Sequence, residues 1–311
     1  MPAPNSTTVN WDTINSTTER TWLPGTEDNI FGTNAFYETL RSQGETKDGG
    51  EAIMQRILYG EGPAGWYTGT SPLDLSSADI ITAARYNWRQ CYAGVGIPWL
   101  EELKNGGKAQ LASTIAEKLD VMEESMANQI GRGLYSDGSD IEQIFGLQIH
   151  VANTTSITVG GISASTNTWW RNVIVNMTGV PLSIYKMQQT AGLITKGKRR
   201  PNMIVTTQAI HDIFFALLQP SQRYTGTEGK TLTRVDFGSL PMIVDDHCPD
   251  GYLYMLNTNT FNFVSHSKDN MKLWGWMGPH DQMFKTNKLT WTGQLCCKNR
   301  RFNAVMYGIT Q

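Results

Sequence analysis

The densest set of reactive side chains lies in the segment PMIVDDHCPDGYLYMLN, residues 241–257. Within six positions it contains Asp245, Asp246, His247, Cys248 and Asp250. Carboxylates and imidazole can bind a divalent metal, and a thiol beside an imidazole has the chemistry of an activated nucleophile. Adjacent side chains at the end of a strand point to opposite faces, however, and no other group at helical or strand spacing supplies further ligands.

The same segment has a complete structural explanation. An apolar strand (MIV) is followed by a turn containing Pro249 and Gly251 and then by a second strand (YLYML). Aspartate side chains in such turns accept hydrogen bonds from their own backbone. We therefore predict a polar turn rather than a metal or catalytic site. A metal-dependent hydrolase centred on Asp245, Asp246 and His247 remains the weakest alternative.

A second motif, from Gly192 to Lys198, matches the pattern G-x-x-x-x-G-K of a phosphate-binding loop. Arg199 stands where that loop needs a serine or threonine hydroxyl. The segment also follows a predicted helix and precedes a predicted strand, which is the reverse of the order that such a loop requires. We predict instead a basic loop, formed by Lys196, Lys198, Arg199 and Arg200, that faces nucleic acid or a neighbouring subunit; a solvated turn is the alternative. The other histidines match no catalytic spacing, so we predict neither an enzyme nor a cofactor.

Composition indicates a globular chain without a strong charge of either sign. The 311 residues are 40% hydrophobic and 17% charged, and 26 basic against 28 acidic residues give a formal charge of −2. A dedicated nucleic-acid binder normally carries a basic excess, which is absent here. No apolar run is long enough for a membrane span, and the first residues do not fit a signal peptide. We therefore expect a soluble protein that is not exported and whose four cysteines are reduced.

The first hundred residues predict an arm and a hairpin. Residues 1–30 are polar and non-periodic, as in an extended arm, and a short helix is predicted from Thr33 to Arg41. Two predicted strands, residues 51–60 and 80–95, flank a tip rich in glycine and proline. A lone hairpin cannot bury its apolar face, so we expect its aromatic side chains to contact a partner surface in the same chain or in a neighbour. These side chains are Trp66, Tyr67, Tyr86, Trp88 and Tyr92, the last three of which alternate onto one face of the second strand.

The remaining sequence predicts a long helix, an α/β module and terminal strands. Residues 108–132 carry an apolar stripe at helical spacing, which predicts core packing: Leu111, Ile115, Leu119, Met122, Met126 and Ile130. Residues 151–180 are predicted to be irregular. The module comprises helices at 182–193 and 208–218 and strands at 202–206, 241–246 and 252–257. Runs at 289–297 and 302–309 favour strands.

This order of elements resembles the major capsid proteins of tailed bacteriophages, the Hong Kong 97 fold, over essentially the whole chain. The second half carries the most specific features: Pro201 before a strand, the helix QAIHDIFFALL, Arg223-Tyr224, Gly238-Ser-Leu-Pro241 before MIV, and Pro249-Asp-Gly251 before YLYMLN. The resemblance implies an α+β, Hong Kong 97-like capsid fold. It would contain an N-terminal arm, an extended β-hairpin loop, a peripheral domain with a long spine helix, and an axial α/β domain.

The resemblance also implies where these parts lie along the chain. The arm would cover residues 1–44, the hairpin loop 45–97, the peripheral domain with its spine helix 98–149, the axial domain 150–256, and the C-terminal strands of the peripheral domain 257–311. The DDHCPDG segment is similar to the turn between axial-domain strands. Some family members cross-link a loop lysine to a neighbouring subunit, but residues 61–76 contain no lysine, so we predict no such bond.

The implied function is that of a major capsid protein that self-assembles into the icosahedral head around double-stranded DNA. Its expected partners are further copies of itself in hexamers and pentamers, portal and scaffolding proteins, and decoration proteins, with only non-specific proximity to DNA and no membrane. We expect it in the virion, after assembly in the bacterial cytoplasm. An encapsulin-like protein compartment is the alternative within the same architecture. Trp66 and Tyr67 are our first candidates for inter-subunit contacts, with burial in the same chain as the alternative.

Overall fold

The computed structural model describes residues 34–73, 76, 79–104, 114–222, 236–238, 240–278 and 283–310. Three predictions lie outside the described residues: the extended arm over residues 1–30, the start of the long helix at 108–113, and the Arg223-Tyr224 pair. None of the helices in the described part of the chain is both long and apolar enough to cross a lipid bilayer.

Helices and strands follow the predicted order. The helices are α1 (Ala35–Ser42), α2 (Trp99–Lys104), α3 (Thr114–Gly133), α4 (Leu147–His150), α5 (Ile184–Ile194) and α6 (Gln208–Gln222). The strands are β1 (Glu45–Lys47), β2 (Ile53–Leu58), β3 (Ile81–Tyr86), β4 (Arg89–Pro98), β5 (Thr158–Val159), β6 (Ile162–Ser163), β7 (Val173–Asn176), β8 (Met203–Thr206), β9 (Asp236–Phe237), β10 (Leu240–Val244), β11 (Leu253–Leu256), β12 (Phe261–His266), β13 (Lys272–Leu273), β14 (Phe284–Cys297) and β15 (Ala304–Tyr307).

The predicted hairpin is confirmed, but its second strand is shorter than predicted. β2 pairs antiparallel with β3, so that Ile53 lies opposite Tyr86 and Leu58 opposite Ile81. The chain then leaves the hairpin at Asn87 and Trp88, and β4 pairs with β14 in another sheet. The prediction of one continuous strand over residues 80–95 is wrong. Alternation along the sequence continues across the break, but the two halves belong to sheets with different surroundings.

A five-stranded sheet supports the long helix. β1, β12, β14 and β13 lie side by side in that order, and β4 also pairs with β14. Met122, Met126 and Ile130 of α3 are buried in a core that also contains Leu289 and Trp291 of β14. The predicted core role of this stripe is confirmed for these three residues. The helix ends at Gly133, because glycine weakens a helix and favours its termination.

A six-stranded sheet forms the α/β module. Its order is β7, β15, β11, β8, β10 and β9, with β8 parallel to β10 and β7 parallel to β15. One face packs against α5 and α6 through Met187, Ile194 and Phe214. Through Val205 and Tyr254, the other face belongs to the same core as α1 and α3. The module is therefore covered on both faces, which explains its continuous apolar strands.

Two predictions about this sheet are corrected. The predicted irregular region 151–180 contains β5, β6 and β7, and β7 forms an edge of the six-stranded sheet. The last strand, β15, pairs with β7 and β11 rather than returning to the sheet beside α3. Ala304, Val305 and Met306 are all buried, so β15 needs a sheet that is covered on both faces.

Candidate subunit interface

The Asp245–Asp250 turn connects strands β10 and β11 and contacts helix α1. Asp245 Oδ1 accepts a hydrogen bond from the His247 backbone N–H at 3.0 Å, and Oδ2 accepts one from the Phe36 N–H at 3.1 Å. Phe36 lies in the first turn of α1, where backbone N–H groups have no partner within the helix. Burial raises the pKa of Asp245 above its ordinary value. This carboxyl group therefore holds the start of α1 against the six-stranded sheet.

The thiol and imidazole of the same turn do not act as a pair. The Cys248 thiol points to the Tyr252 carbonyl oxygen, 3.8 Å away, and burial raises its pKa, so the thiol stays protonated. Burial also lowers the pKa of His247. No group of three or more histidine, cysteine, aspartate or glutamate side chains converges in the described part of the chain. The interpretation of this segment as a polar turn is confirmed by its hydrogen bonds.

The segment that resembles a phosphate loop is a tight turn between α5 and β8. Gly192 lies within α5 rather than at its start. The Lys196 N–H donates to the Arg199 carbonyl at 2.9 Å, and the Arg199 N–H donates back to Lys196 at 3.0 Å. Gly197 occupies the left-handed region, with φ of 57°. The turn leaves all four cations of the predicted basic loop exposed: Lys196, Lys198, Arg199 and Arg200.

The hairpin packs on the body of its own chain along its paired strands. Ile57, Ala84 and Tyr86 are buried in a small core with Val159 and Trp170. From residue 61 to residue 73, in contrast, every residue is exposed. The paired strands of the hairpin are therefore partly buried by the same chain. The described tip residues, 61–73, leave large apolar side chains exposed to water.

The five predicted contact aromatics fall into different environments. Trp66 is fully exposed, Tyr67 is 66% exposed and Tyr92, on the five-stranded sheet, is 78% exposed. Trp88 is partly buried and donates its indole N–H to the Gly50 carbonyl at 2.9 Å. Tyr86 is 0% exposed and donates its hydroxyl to the Cys297 carbonyl at 3.2 Å. The prediction of Tyr86 as an inter-subunit contact is therefore corrected, because its own chain covers it completely.

Sequence reasoning missed a second group of exposed apolar side chains, at the end of β4. Leu100 and Leu103 of α2 are exposed, as is Met283 just before β14. The Trp99 N–H donates to the Met283 carbonyl at 3.0 Å, which joins these two segments. The apolar positions of the segment WLEELK were the available signal, but an isolated six-residue helix is marginal in water and was not predicted.

Comparison with known proteins decides the fold. Neither a protein-family model nor a curated protein sequence matches the chain. Among solved structures, the chain is similar to a subunit of the cyanophage A-1(L) capsid asymmetric unit, with a TM-score of 0.75, 17% identity, and coverage of 95% of this chain and 98% of that chain. The chain has a Hong Kong 97-like capsid fold.

Two further structures have the same architecture. The capsid subunit of a native GTA particle matches with a TM-score of 0.65 and 8% identity, over 93% of this chain and 96% of that chain. The SrpI encapsulin of Synechococcus elongatus PCC 7942 matches with a TM-score of 0.61 and 11% identity, over 97% of this chain and 96% of that chain. The capsid fold thus spans nearly the full length of each pair.

Proposed function

We propose that the chain is a major capsid protein, many copies of which assemble into the icosahedral head that encloses the double-stranded DNA of a tailed phage. The observation that carries this proposal is the match to the cyanophage capsid subunit over 95% of this chain and 98% of that chain. A match of this extent is not confined to the α/β module.

The exposed hairpin tip supports the proposal independently of the comparison. Trp66 and Tyr67 are exposed at the end of a two-stranded ribbon, where no other layer of the described residues covers them. Large aromatic side chains in water are unfavourable, and they are favoured anchors where subunits meet. In a shell, identical neighbours would cover these tips around the whole lattice. Trp66, Tyr67, Trp88 and Tyr92 are accordingly our proposed contact residues.

The proposed partners follow from this role. The main partner is the chain itself, in hexamers and pentamers, with portal and scaffolding proteins during assembly and decoration proteins on the finished surface. The protein would be located in the virion shell after assembly in the bacterial cytoplasm. We also propose that it is structural rather than enzymatic, since the Asp245 carboxyl group accepts two backbone hydrogen bonds and the Cys248 thiol faces the Tyr252 carbonyl.

A second candidate is an encapsulin-like compartment that encloses protein. Its support is the match to the SrpI encapsulin, at a TM-score of 0.61 over 97% of this chain. The cargo distinguishes the two functions, because one shell would protect nucleic acid and the other an enzyme.

Negative-stain microscopy and size-exclusion chromatography of the purified protein test assembly. We expect closed shells, or hexamers and pentamers; a persistent monomer at micromolar to millimolar concentration would contradict both candidates. Particles purified from lysates of the native host are then treated with nuclease. Protected double-stranded DNA supports the phage head, whereas a stoichiometric second protein without DNA supports the compartment.

A further inference from the structure

Charge is segregated along the chain despite its near-neutral total. Residues 143–211 and 282–311 contain eleven of the 26 lysines and arginines and none of the 28 aspartates and glutamates. The formal charge of −2 therefore describes no particular surface of the molecule. Where these two segments meet in the fold, cations accumulate without nearby carboxylates in the sequence.

The six-stranded sheet brings the two segments together. Asn257 connects them, because its side chain donates to the Arg200 carbonyl at 2.9 Å while its backbone N–H donates to Asn303 Oδ1 at 2.9 Å. The Arg199 guanidinium lies over the Phe302 ring, 5.4 Å from its centroid. The basic loop of residues 196–200 and the turn before β15 therefore form one continuous surface.

A groove of about 460 Å³ extends this surface. Its lining includes Arg171 and Arg301, together with Trp169 and Leu193, the last of which lies one turn before the basic loop. Arg171 is held in place by bonds from Nε to the Ala164 carbonyl and from Nη2 to the Ser165 carbonyl, both at 2.6 Å. We call the resulting cation cluster the basic surface; it consists of Arg171, Lys196, Lys198, Arg199, Arg200 and Arg301.

No carboxylate neutralises the basic surface within the described residues. The ion pairs found there join Lys47 to Glu45, Arg85 to Glu51 and His211 to Asp212, and none involves a member of the basic surface. An acidic residue, Asp79, interacts with Tyr59, whose ring stacks on Trp169 at 5.1 Å. Clustered like charges repel one another, and an external polyanion would relieve that repulsion.

We propose that the basic surface binds the phosphate backbone of double-stranded DNA and is the side of the subunit that faces the enclosed genome. The orientation rests on the proposed function, whereas the binding does not. Four of the six cations are arginines, whose planar guanidinium groups match phosphate oxygens in paired hydrogen bonds. Phosphate contacts carry no sequence information, so the binding is non-specific. Contact with up to six phosphates predicts a slope of log K against log salt concentration no steeper than about −5.

The test measures binding of unassembled protein to a fluorescein-labelled 30-base-pair duplex by anisotropy over a range of NaCl concentrations. The variant combines Lys196→Gln, Lys198→Gln and Arg200→Gln, whose side chains are exposed to solvent. The matched control combines Lys268→Gln, Lys272→Gln and Lys288→Gln, three exposed lysines associated with the five-stranded sheet. We expect the variant to lose at least about tenfold in affinity at low salt and to flatten the slope by about 2 to 3, with the control within about twofold of wild type.

Three results would refute DNA binding by the basic surface. The first is an equal loss of DNA affinity in both triple variants, and the second is no loss of affinity in either. The third is a wild-type protein that does not bind the duplex, together with a first variant that loses self-association. The last result would assign the surface to contacts between copies. Negative-stain images of the same preparations separate this inference from the proposed function. If the protein forms closed shells but the first variant binds DNA as well as wild type, the capsid role is supported and DNA binding by the basic surface is refuted. If the protein stays monomeric but binds DNA through the basic surface, DNA binding is supported and the capsid role is refuted. Closed wild-type shells that still bind added duplex through this surface would place it outside and refute the orientation.

Discussion

Truncation of the hairpin tip tests whether neighbouring subunits cover it. Trp66 is fully exposed and Tyr67 is 66% exposed, so their removal costs little within the chain. Full burial of an aromatic side chain removes roughly 150–200 Å² from water, which at about 25 cal/mol per Å² corresponds to about 4–5 kcal/mol before the cost of ordering the tip. If a neighbouring subunit partly buries both rings, their removal should weaken assembly by about 3 kcal/mol per subunit. This corresponds to a roughly 100-fold higher protein concentration for assembly.

The assay compares the critical concentration for assembly, from light scattering, with the thermal midpoint of the unassembled subunit. Trp66→Ala with Tyr67→Ala should raise the critical concentration about 100-fold and shift the midpoint by no more than about 2 °C, because surface substitutions are nearly neutral. Trp66→Phe with Tyr67→Phe retains most of the apolar area and should assemble almost normally. Unchanged assembly of the alanine variant, or a midpoint lowered by several degrees, would refute the reasoning.

Three further predictions concern the body of the subunit. Met126→Ala should lower the free energy of unfolding by about 2–5 kcal/mol in urea titrations, because Met126 is fully buried. Val121→Ala, on the exposed part of the same helix, should change this free energy by less than about 0.5 kcal/mol. Similar losses in the two variants would contradict the assigned core. Gly160→Ala should lower the free energy of unfolding by about 1–3 kcal/mol and speed proteolysis at the hairpin base, because a Cβ there would lie 2.6 Å from a β3 side chain. Gly161 is also at positive φ but has open space around it, so Gly161→Ala should lower the free energy of unfolding by less. Equal losses in the two variants would exclude the steric explanation. Burial lowers the pKa of His150 from 6.5 to about 3, so below pH 6.5 the unfolded chain binds a proton that the folded chain does not. Stability should therefore fall by about 2 kcal/mol between pH 8 and pH 5 and continue to fall towards pH 3, and His150→Gln should flatten this profile; an unchanged profile would assign the pH dependence to other groups.

Local periodicity was sufficient to predict most of the elements. The apolar stripe of α3 and the strand, turn and strand around the Asp245–Asp250 segment were predicted because their side chains pack against the nearest layer in a regular register. The break between β3 and β4 was missed, since alternation of side chains continues through a change of sheet. The edge strand β7 was missed as well, because four residues give too little periodicity to distinguish a strand from a loop.

The candidate surfaces were predictable only in part. The exposed tip residues and the basic loop could be named from the sequence, since a glycine-rich tip and a turn of consecutive cations are local features. The basic surface could not, because the pairing of β7 with β15 brings Arg171 near Arg301, and contacts through Asn257 and Phe302 join that edge to the loop. The net charge gave no indication of the basic surface, because a sum over all residues contains no information about where the charges lie.

By itself, the sequence determined which segments form helices and strands, which of their faces are apolar, and that the chain resembles a capsid subunit. Only the tertiary structure decided which of those faces remain uncovered. Tyr86 and Tyr92 are both tyrosines on the predicted second hairpin strand, yet one is 0% and the other 78% exposed. The physical reason is that burial depends on contacts between residues far apart in the chain, here between β3 and the Trp170 region, which no local pattern encodes.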